Sequence, residues 1–242
     1  METTSSRTSN ELSAAPDRRR LALAAWLVLA AIQVGLATAG ALLAEEETAS
    51  EPLYRYETAI GGGIVYAILI GLTVAIARLY PDPRDALGFR SFGARWFWAA
   101  LGVVVLAGVL TAIIAALFGV DPAEEQGLLP ETWQPERAGA IVANAVVIAA
   151  IGPFAEELFF RGLGVRALGV FGAVMAVVGS GIVFGLAHAL LTGFVPLALF
   201  GIGLAWVRLQ SRSVWPGVAA HGLYNGAALA LTLWCAAHPD AC

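Results

Sequence analysis

Five polar side chains lie in strongly apolar surroundings, and their types are those that hydrolytic sites use. Glu156 and Glu157 interrupt an otherwise uncharged apolar stretch. His188 closes the segment FGLAH, and His221 stands four residues before Asn225 in HGLYN. A carboxylate and an imidazole can activate water, and imidazole and amide groups can stabilise an oxyanion. These residues could hydrolyse an amide bond if the fold brought them into one site.

The two acids differ in whether a cation lies at ion-pair spacing along the helix. Glu157 precedes Arg161 by four residues, which is the favourable order and spacing for an ion pair on a helix. Glu156 projects about 100° away around the same helix and has no partner of this kind. We therefore predict that Arg161 neutralises Glu157 and that Glu156 is the reactive carboxylate. Pro153, which has no N–H, predicts a kink in the helix just before the acids.

The composition indicates that these residues lie in a membrane. Hydrophobic residues make up 59% of the 242 residues and charged residues 13%, whereas soluble domains have about 25% charged residues. The mean hydropathy is +0.76. A net charge of −4 and a single short arginine run at residues 18–20 exclude nucleic acid as a partner. Two cysteines are too few for a disulfide framework or a zinc site built from cysteines.

Seven segments are long and apolar enough to cross a bilayer, which needs about 20 residues. They are residues 21–44, 58–77, 96–120, a segment from residue 138 that carries the two acids, two segments from the uncharged stretch 167–207 divided near Thr192, Gly193 and Pro196, and residues 213–237. The predicted fold class is an all-α polytopic membrane protein with about seven transmembrane helices and the polar site among the C-terminal ones.

Two adjacent carboxylates at membrane depth need a reason, because each costs about 2.5 to 3.5 kcal/mol on insertion scales. A span that ended at Phe154 would place both acids among the lipid headgroups. It would also leave the apolar residues 158–160 in water. We therefore expect the helix to continue to Leu168.

The arginines predict the orientation, since cytoplasmic loops retain cationic residues. Twelve of the 14 arginines fall on one side if the N-terminus is cytoplasmic, and the loops on the other side are acidic. The alanine- and arginine-rich, lysine-free composition favours the plasma membrane of a bacterium. A cleaved signal peptide ending near residues 37–39 is the alternative for the first span.

The chain divides into four parts by composition. Residues 1–20 are predicted to be a disordered cytoplasmic tail, residues 21–137 an N-terminal region of three spans, residues 138–237 a core of four spans with the polar site, and residues 238–242 a short tail. Helix lengths pose a difficulty for this core. At about 1.5 Å per residue, turns near Gly169 and Ser213 would leave Glu156, His188 and His221 at different heights. Tilted helices, a start of the fifth helix outside the membrane, or a break at residues 179–181 could bring them level.

Three motifs, EELFFRG from residue 156, FGLAH and HGLYN, resemble in order and spacing the signature motifs of the CAAX protease and bacteriocin-processing family of intramembrane endopeptidases. The resemblance covers residues 138–233 and implies an enzyme that cuts membrane-associated protein substrates. It implies that Glu156 and His188 activate water, and that His221 and Asn225 form the oxyanion hole. It also implies that Glu157 and Arg161 support these four residues. Members of that family have eight helices, where the apolar segments of this sequence give seven.

The cofactor stays open between none and zinc. Glu156, His188 and His221 would be the ligands of any metal, as two histidines and one carboxylate with an open position, while the resemblance favours a glutamate mechanism without metal. The expected partners are membrane lipid and a peptide or protein substrate. The sequence identifies neither the substrate's prenylation nor the oligomeric state.

Two other functions fit parts of the sequence. One is a catalytically silent immunity or scaffold protein with the same fold, which could retain the motifs. The other is a proton-coupled transporter, in which buried Glu and His residues relay protons. A transporter predicts polar groups along a whole pathway, whereas the candidate residues all lie in the C-terminal half.

Overall fold

A computed structural model describes residues 3–43, 51–119, 132–238 and 240, and every regular element in this part of the chain is helical. The main helices are α1 (Thr3–Leu43), α2 (Tyr56–Ala77), α3 (Pro83–Leu87), α4 (Ala94–Phe118), α5 (Pro135–Phe171), α6 (Ala173–Leu186), α7 (Phe194–Ser211) and α8 (Trp215–Ala237). The predicted all-α polytopic membrane fold is confirmed.

The seven apolar segments correspond to seven of these helices. Five helices are long and apolar enough to cross a membrane: residues 17–43 of α1, together with α2, α4, α5 and α7. Helix α6 is apolar but has only 14 residues, and α8 has 23 residues that include His221 and Asn225. The predicted division near Thr192 and Gly193 is confirmed, because α6 ends at Leu186 and α7 begins at Phe194.

The N-terminal tail of the structure differs from the predicted one. Helix α1 begins at Thr3, so residues 3–20 are helical where the composition predicts a disordered tail. A preformed membrane helix removes the cost of nucleation for the polar residues that precede it. Most of the acidic residues assigned to the outer loops fall in residues 44–50 and 120–131, which lie outside the described residues.

Helix α5 is the central element, and it contacts α1, α2, α3, α6, α7 and α8. Its residues 158–160 are at most 1% exposed. Glycines permit the close packing of the neighbouring α6 and α7. A Cβ at Gly181 would meet the backbone of Ile202, and one at Gly185 would meet Ala198. Gly181 and Gly185 thus form a small-residue face of α6 that packs against α7.

Around the kink predicted at Pro153, helix α5 contains π turns and continues without a break. Residues 147–151 and 157–164 are π-helical, and Pro153 lies in the short α-helical stretch between them. Side chains of other helices cap two carbonyls of the second π segment. The Trp26 Nε1–H donates to the Phe159 carbonyl at 3.1 Å, and the Ser180 hydroxyl donates to the Phe160 carbonyl at 2.8 Å.

The positions of two turns resolve the predicted difference in height. Helix α5 continues to Phe171, and the chain reverses at Gly172, whose φ of 98° suits glycine. Glu156 precedes Gly172 by 16 residues and His188 follows it by 16. The turn before α8 lies beside Phe154 rather than beside Gly172, since Trp215 stacks on Phe154 with ring centres 5.9 Å apart. No break at residues 179–181 is needed, because α6 runs through them.

Candidate active site

Glu157, Arg161 and His221 form a buried charged cluster between α5 and α8. Arg161 Nη1 lies 3.0 Å from Glu157 Oε1, as the spacing of the two residues predicts. The same oxygen lies 3.1 Å from His221 Nδ1. The three side chains are at most 4% exposed. The guanidinium carbon of Arg161 also lies 4.0 Å from the centre of the Phe184 ring, so the cation has both a carboxylate and an aromatic face as neighbours.

The contact with Glu157 sets the orientation of the His221 ring. A carboxylate oxygen accepts hydrogen bonds, so Nδ1 of His221 carries the proton and donates. The other ring nitrogen, Nε2, then faces Glu156 and lies 3.8 Å from its Oε2. A second carboxylate that holds an imidazole in one tautomer is a recurring feature of catalytic histidines.

Glu156 has different contacts on its two oxygens. Oε2 faces His221, while Oε1 accepts a hydrogen bond of 2.8 Å from the Tyr66 hydroxyl on α2. The Glu156 side chain is 15% exposed, compared with 1% for Glu157. The more accessible carboxylate is therefore the one that the sequence identifies as reactive.

Tyr66 is a site residue that reasoning from the sequence missed. It is one of two tyrosines in the apolar helix α2, and it belongs to no motif. The one available signal is chemical, because a phenol inside an uncharged span needs a hydrogen-bond partner. That signal does not identify the partner, which lies 90 residues away in the sequence.

Asn225 lies one turn after His221 on α8 and contacts α5. Its Nδ2 donates a hydrogen bond of 3.0 Å to the Ile148 carbonyl. In a π turn the donor to this carbonyl would come from five residues later, where Pro153 has no N–H. Asn225 therefore caps a carbonyl that Pro153 leaves without a backbone donor, and one amide hydrogen stays available to a substrate.

His188 follows the end of α6 in a tight turn. Its Nδ1 lies 2.8 Å from the Phe184 carbonyl oxygen, which can only accept, so the neutral ring presents Nε2 as an acceptor. The next residue, Ala189, has a φ of 52° and ends the helical path. The rings of His188 and His221 pack on the same Phe184 ring, at centroid distances of 4.6 Å and 5.7 Å.

The predicted residues thus differ in how closely the structure associates them. Glu156, Glu157, Arg161 and His221 form a continuous set of contacts. His188 joins them through Phe184, and Asn225 through its own helix. Their catalytic roles stay predictions.

The side chains do not form a ready set of metal ligands. Within the described ranges, no three His, Cys, Asp or Glu side chains are grouped so that they could hold a metal ion. Glu156, His188 and His221 are thus not grouped as a zinc site in this arrangement.

In a comparison with protein families, residues 138–227 match the family described as Type II CAAX prenyl endopeptidase Rce1-like. This range contains the six candidate site residues of the three motifs, Glu156, Glu157, Arg161, His188, His221 and Asn225. It begins at the predicted boundary of the C-terminal core and excludes α1, α2 and α4. Comparisons with curated proteins and with solved structures give no match.

Proposed function

We propose that this chain is an intramembrane endopeptidase that hydrolyses peptide bonds of membrane-associated proteins, since residues 138–227 match the Rce1-like family model in an integral membrane protein. The observation that carries the proposal is the set of contacts from Arg161 through Glu157 and His221 to Glu156. It joins one accessible carboxylate to an imidazole whose orientation a second, buried carboxylate controls.

Glu156 is the general base in this proposal. It takes a proton from a water molecule whose oxygen attacks the carbonyl carbon of the substrate. Tyr66 holds one carboxylate oxygen, so the other is directed towards the water. His188 assists because the Nε2 of its neutral ring can accept a hydrogen bond from the same water. The proton then passes from Glu156 to the leaving amine as the C–N bond breaks.

The oxyanion of the tetrahedral intermediate needs donors fixed in advance. The second amide hydrogen of Asn225 is one donor. His221 is the other when its Nε2 is protonated, with Glu157 accepting from Nδ1 on the opposite side of the ring. Arg161 and Glu157 therefore act by positioning His221, and they do not contact the substrate.

The arginine distribution supports a location in a bacterial plasma membrane with the N-terminus in the cytoplasm. A site built between apolar helices suits substrates that a lipid or an apolar segment brings to the membrane. Prenylated C-terminal peptides are one such class.

The test is cleavage of a library of quenched fluorogenic peptides, including prenylated CAAX peptides, by the full chain purified in detergent. We expect cleavage by the unaltered protein and a loss of at least about 100-fold for Glu156→Gln, since general base catalysis contributes about 10²- to 10⁴-fold. Parallel reactions with a zinc chelator test whether the activity depends on metal.

Glu57→Gln is the matched control. Glu57 is a glutamate in the first turn of α2 whose side chain is 76% exposed, so its substitution removes the same charge away from the site. Equal activity of the Glu156→Gln and Glu57→Gln variants would contradict the mechanism. An absence of cleavage by the unaltered chain would favour a catalytically silent binding protein.

A further inference from the structure

A cavity of about 600 Å³ lies apart from the candidate active site, between α1, α5, α6, α7 and the segment that follows α2. None of the six motif residues lines it. Its wall carries a concentration of charge: Arg19, Arg90, Arg166, Arg208, Arg212 and one carboxylate, Asp85. The cavity therefore has a formal charge of +4.

The single carboxylate is already engaged. Asp85 Oδ1 accepts from Arg90 at 2.7 Å through Nε and lies 2.6 Å from Arg90 Nη2. Asp85 also attracts Arg208 electrostatically. One acid thus serves two arginines, and among the described residues of the cavity wall no other acid balances the remaining three.

Arg208 is the most buried of these arginines, at 8% exposed. Its Nη2 makes only long contacts of 3.3 Å and 3.4 Å with the backbone carbonyls of Asp85 and Ala86. Its Nε is buried without a hydrogen-bond partner among the described residues. A buried guanidinium without full pairing is costly, so an additional anion in the cavity would stabilise it.

Two other arginines of the cavity, Arg166 and Arg19, interact with Tyr80 in the cavity wall. The Arg166 guanidinium carbon lies 5.5 Å from the centre of the Tyr80 ring. Burial raises the pKa of the Tyr80 phenol, while the positive charges of Arg166 and Arg19 act in the opposite direction. Arg19 and Arg166 are therefore close to the same wall although they come from α1 and α5.

We propose that this cavity binds a phosphate group, presented either by the headgroup of an anionic phospholipid or by a free phosphate ion. Guanidinium groups bind phosphate oxygens with strong, charge-assisted hydrogen bonds. The arginines lie where membrane helices begin or end, on the side predicted to be cytoplasmic, and basic pockets between helices at that level suit lipid headgroups. Apolar residues of the same wall, Val165, Val170 and Leu209, can contact the start of an acyl chain.

The test measures binding to the full chain purified in detergent, with three probes. Dioctanoyl phosphatidylglycerol and dioctanoyl phosphatidylcholine are titrated by native mass spectrometry, and inorganic phosphate by calorimetry. For the unaltered chain we expect saturable binding of phosphatidylglycerol in preference to phosphatidylcholine. The double variant Arg166→Gln/Arg212→Gln should bind at least about tenfold more weakly, since each lost charge-assisted contact contributes substantially to affinity.

The control is Arg78→Gln/Arg95→Gln, which removes two exposed arginines that do not line the cavity. It should retain the affinity of the unaltered chain. The Arg208→Gln variant tests the buried arginine. The Arg166→Gln/Arg212→Gln variant alters exposed side chains, so its result does not depend on whether the Arg208→Gln variant folds. Binding of inorganic phosphate alone, with the same dependence on Arg166 and Arg212, would support the site and identify a soluble ligand. Equal weakening in both double variants, or no binding of any probe, would overturn the proposal.

Discussion

The N-terminal helices and the region matched by the Rce1-like family model, residues 138–227, are similarly apolar but are used differently. Within their most apolar 18 residues, α1, α2 and α4 bury 17%, 17% and 6% of residues, compared with 39% in α5 and 44% in α7. Most side chains of the first three membrane helices therefore face lipid. The helices of the matched domain instead pack on one another and enclose charged groups.

Two inward side chains of the N-terminal helices nevertheless reach the site. Tyr66 of α2 binds Glu156, and Trp26 of α1, which is fully buried, binds the carbonyl of Phe159. Both contacts reach the part of α5 that carries the acids. The family match and the chemical site thus have different limits, since the match begins at residue 138.

Gly217→Ala tests how closely the domain itself controls its charged cluster, and we expect the largest effect here. A Cβ at Gly217 would lie 2.5 Å from Glu157 Oε2, so the carboxylate must move away from His221. We expect kcat to fall by about 10- to 100-fold, as for other displaced catalytic groups. Peptide cleavage and thermal unfolding of the purified variant measure the effect.

The control for this change is Gly226→Ala on the same helix. Its Cβ would make an ordinary contact of 3.6 Å with Ala149, and the gain in helix propensity is the same. If both alanine variants kept full kcat, the position of Glu157 would not matter to the reaction.

Tyr66→Phe tests whether the N-terminal region contributes to catalysis. The change removes only the hydroxyl that orients Glu156, so we expect kcat to fall by about tenfold with little change in KM, in line with the loss of one hydrogen bond to a charged group. Steady-state kinetics on a cleaved peptide separates the two parameters. Tyr56→Phe, an exposed position on the same helix, should have wild-type kinetics. A rise in KM alone would assign Tyr66 to substrate binding instead.

Trp26→Phe tests the second inward contact, and its effect should be the smallest. In the unaltered protein the rings of Trp26 and Phe159 stack with centres 5.6 Å apart. A phenyl ring at position 26 keeps an aromatic contact with Phe159, but it cannot donate a hydrogen bond to the carbonyl. We expect a loss of about 1 to 3 kcal/mol in stability for the unsatisfied buried carbonyl and an unchanged kcat. Thermal unfolding in detergent measures it against Trp98→Phe, whose ring is 64% exposed. Equal stability of the two variants would contradict a structural role for the indole N–H.

Periodic and compositional signals predicted the helices well, because the bilayer imposes the length and apolarity of each span. The same signals predicted the ion pair of Glu157 and Arg161, which depends only on local spacing. They did not predict that Glu157 also binds His221, or that Glu156 binds Tyr66. Those contacts depend on how helices rotate against one another, and lipid-facing and helix-facing positions share the same apolar residues.

Two further features were beyond the reach of sequence patterns. Asn225 caps the Ile148 carbonyl only because α5 adopts a π turn before Pro153, and no simple period marks such a turn. The cavity arginines are spread over residues 19–212, so the sequence indicated their common side of the membrane but not their convergence.

The turn at Gly172 also constrains how the protein can change in length. Glu156 on α5 and His188 just after α6 are separated from Gly172 by equal numbers of residues in the two arms of a helical hairpin. Adding one helical turn, about 5.4 Å, to one arm alone would carry its residue past the other. An insertion or deletion between Glu156 and Gly172 is therefore tolerable only with a matching change between Gly172 and His188, so the two arms should vary in length together.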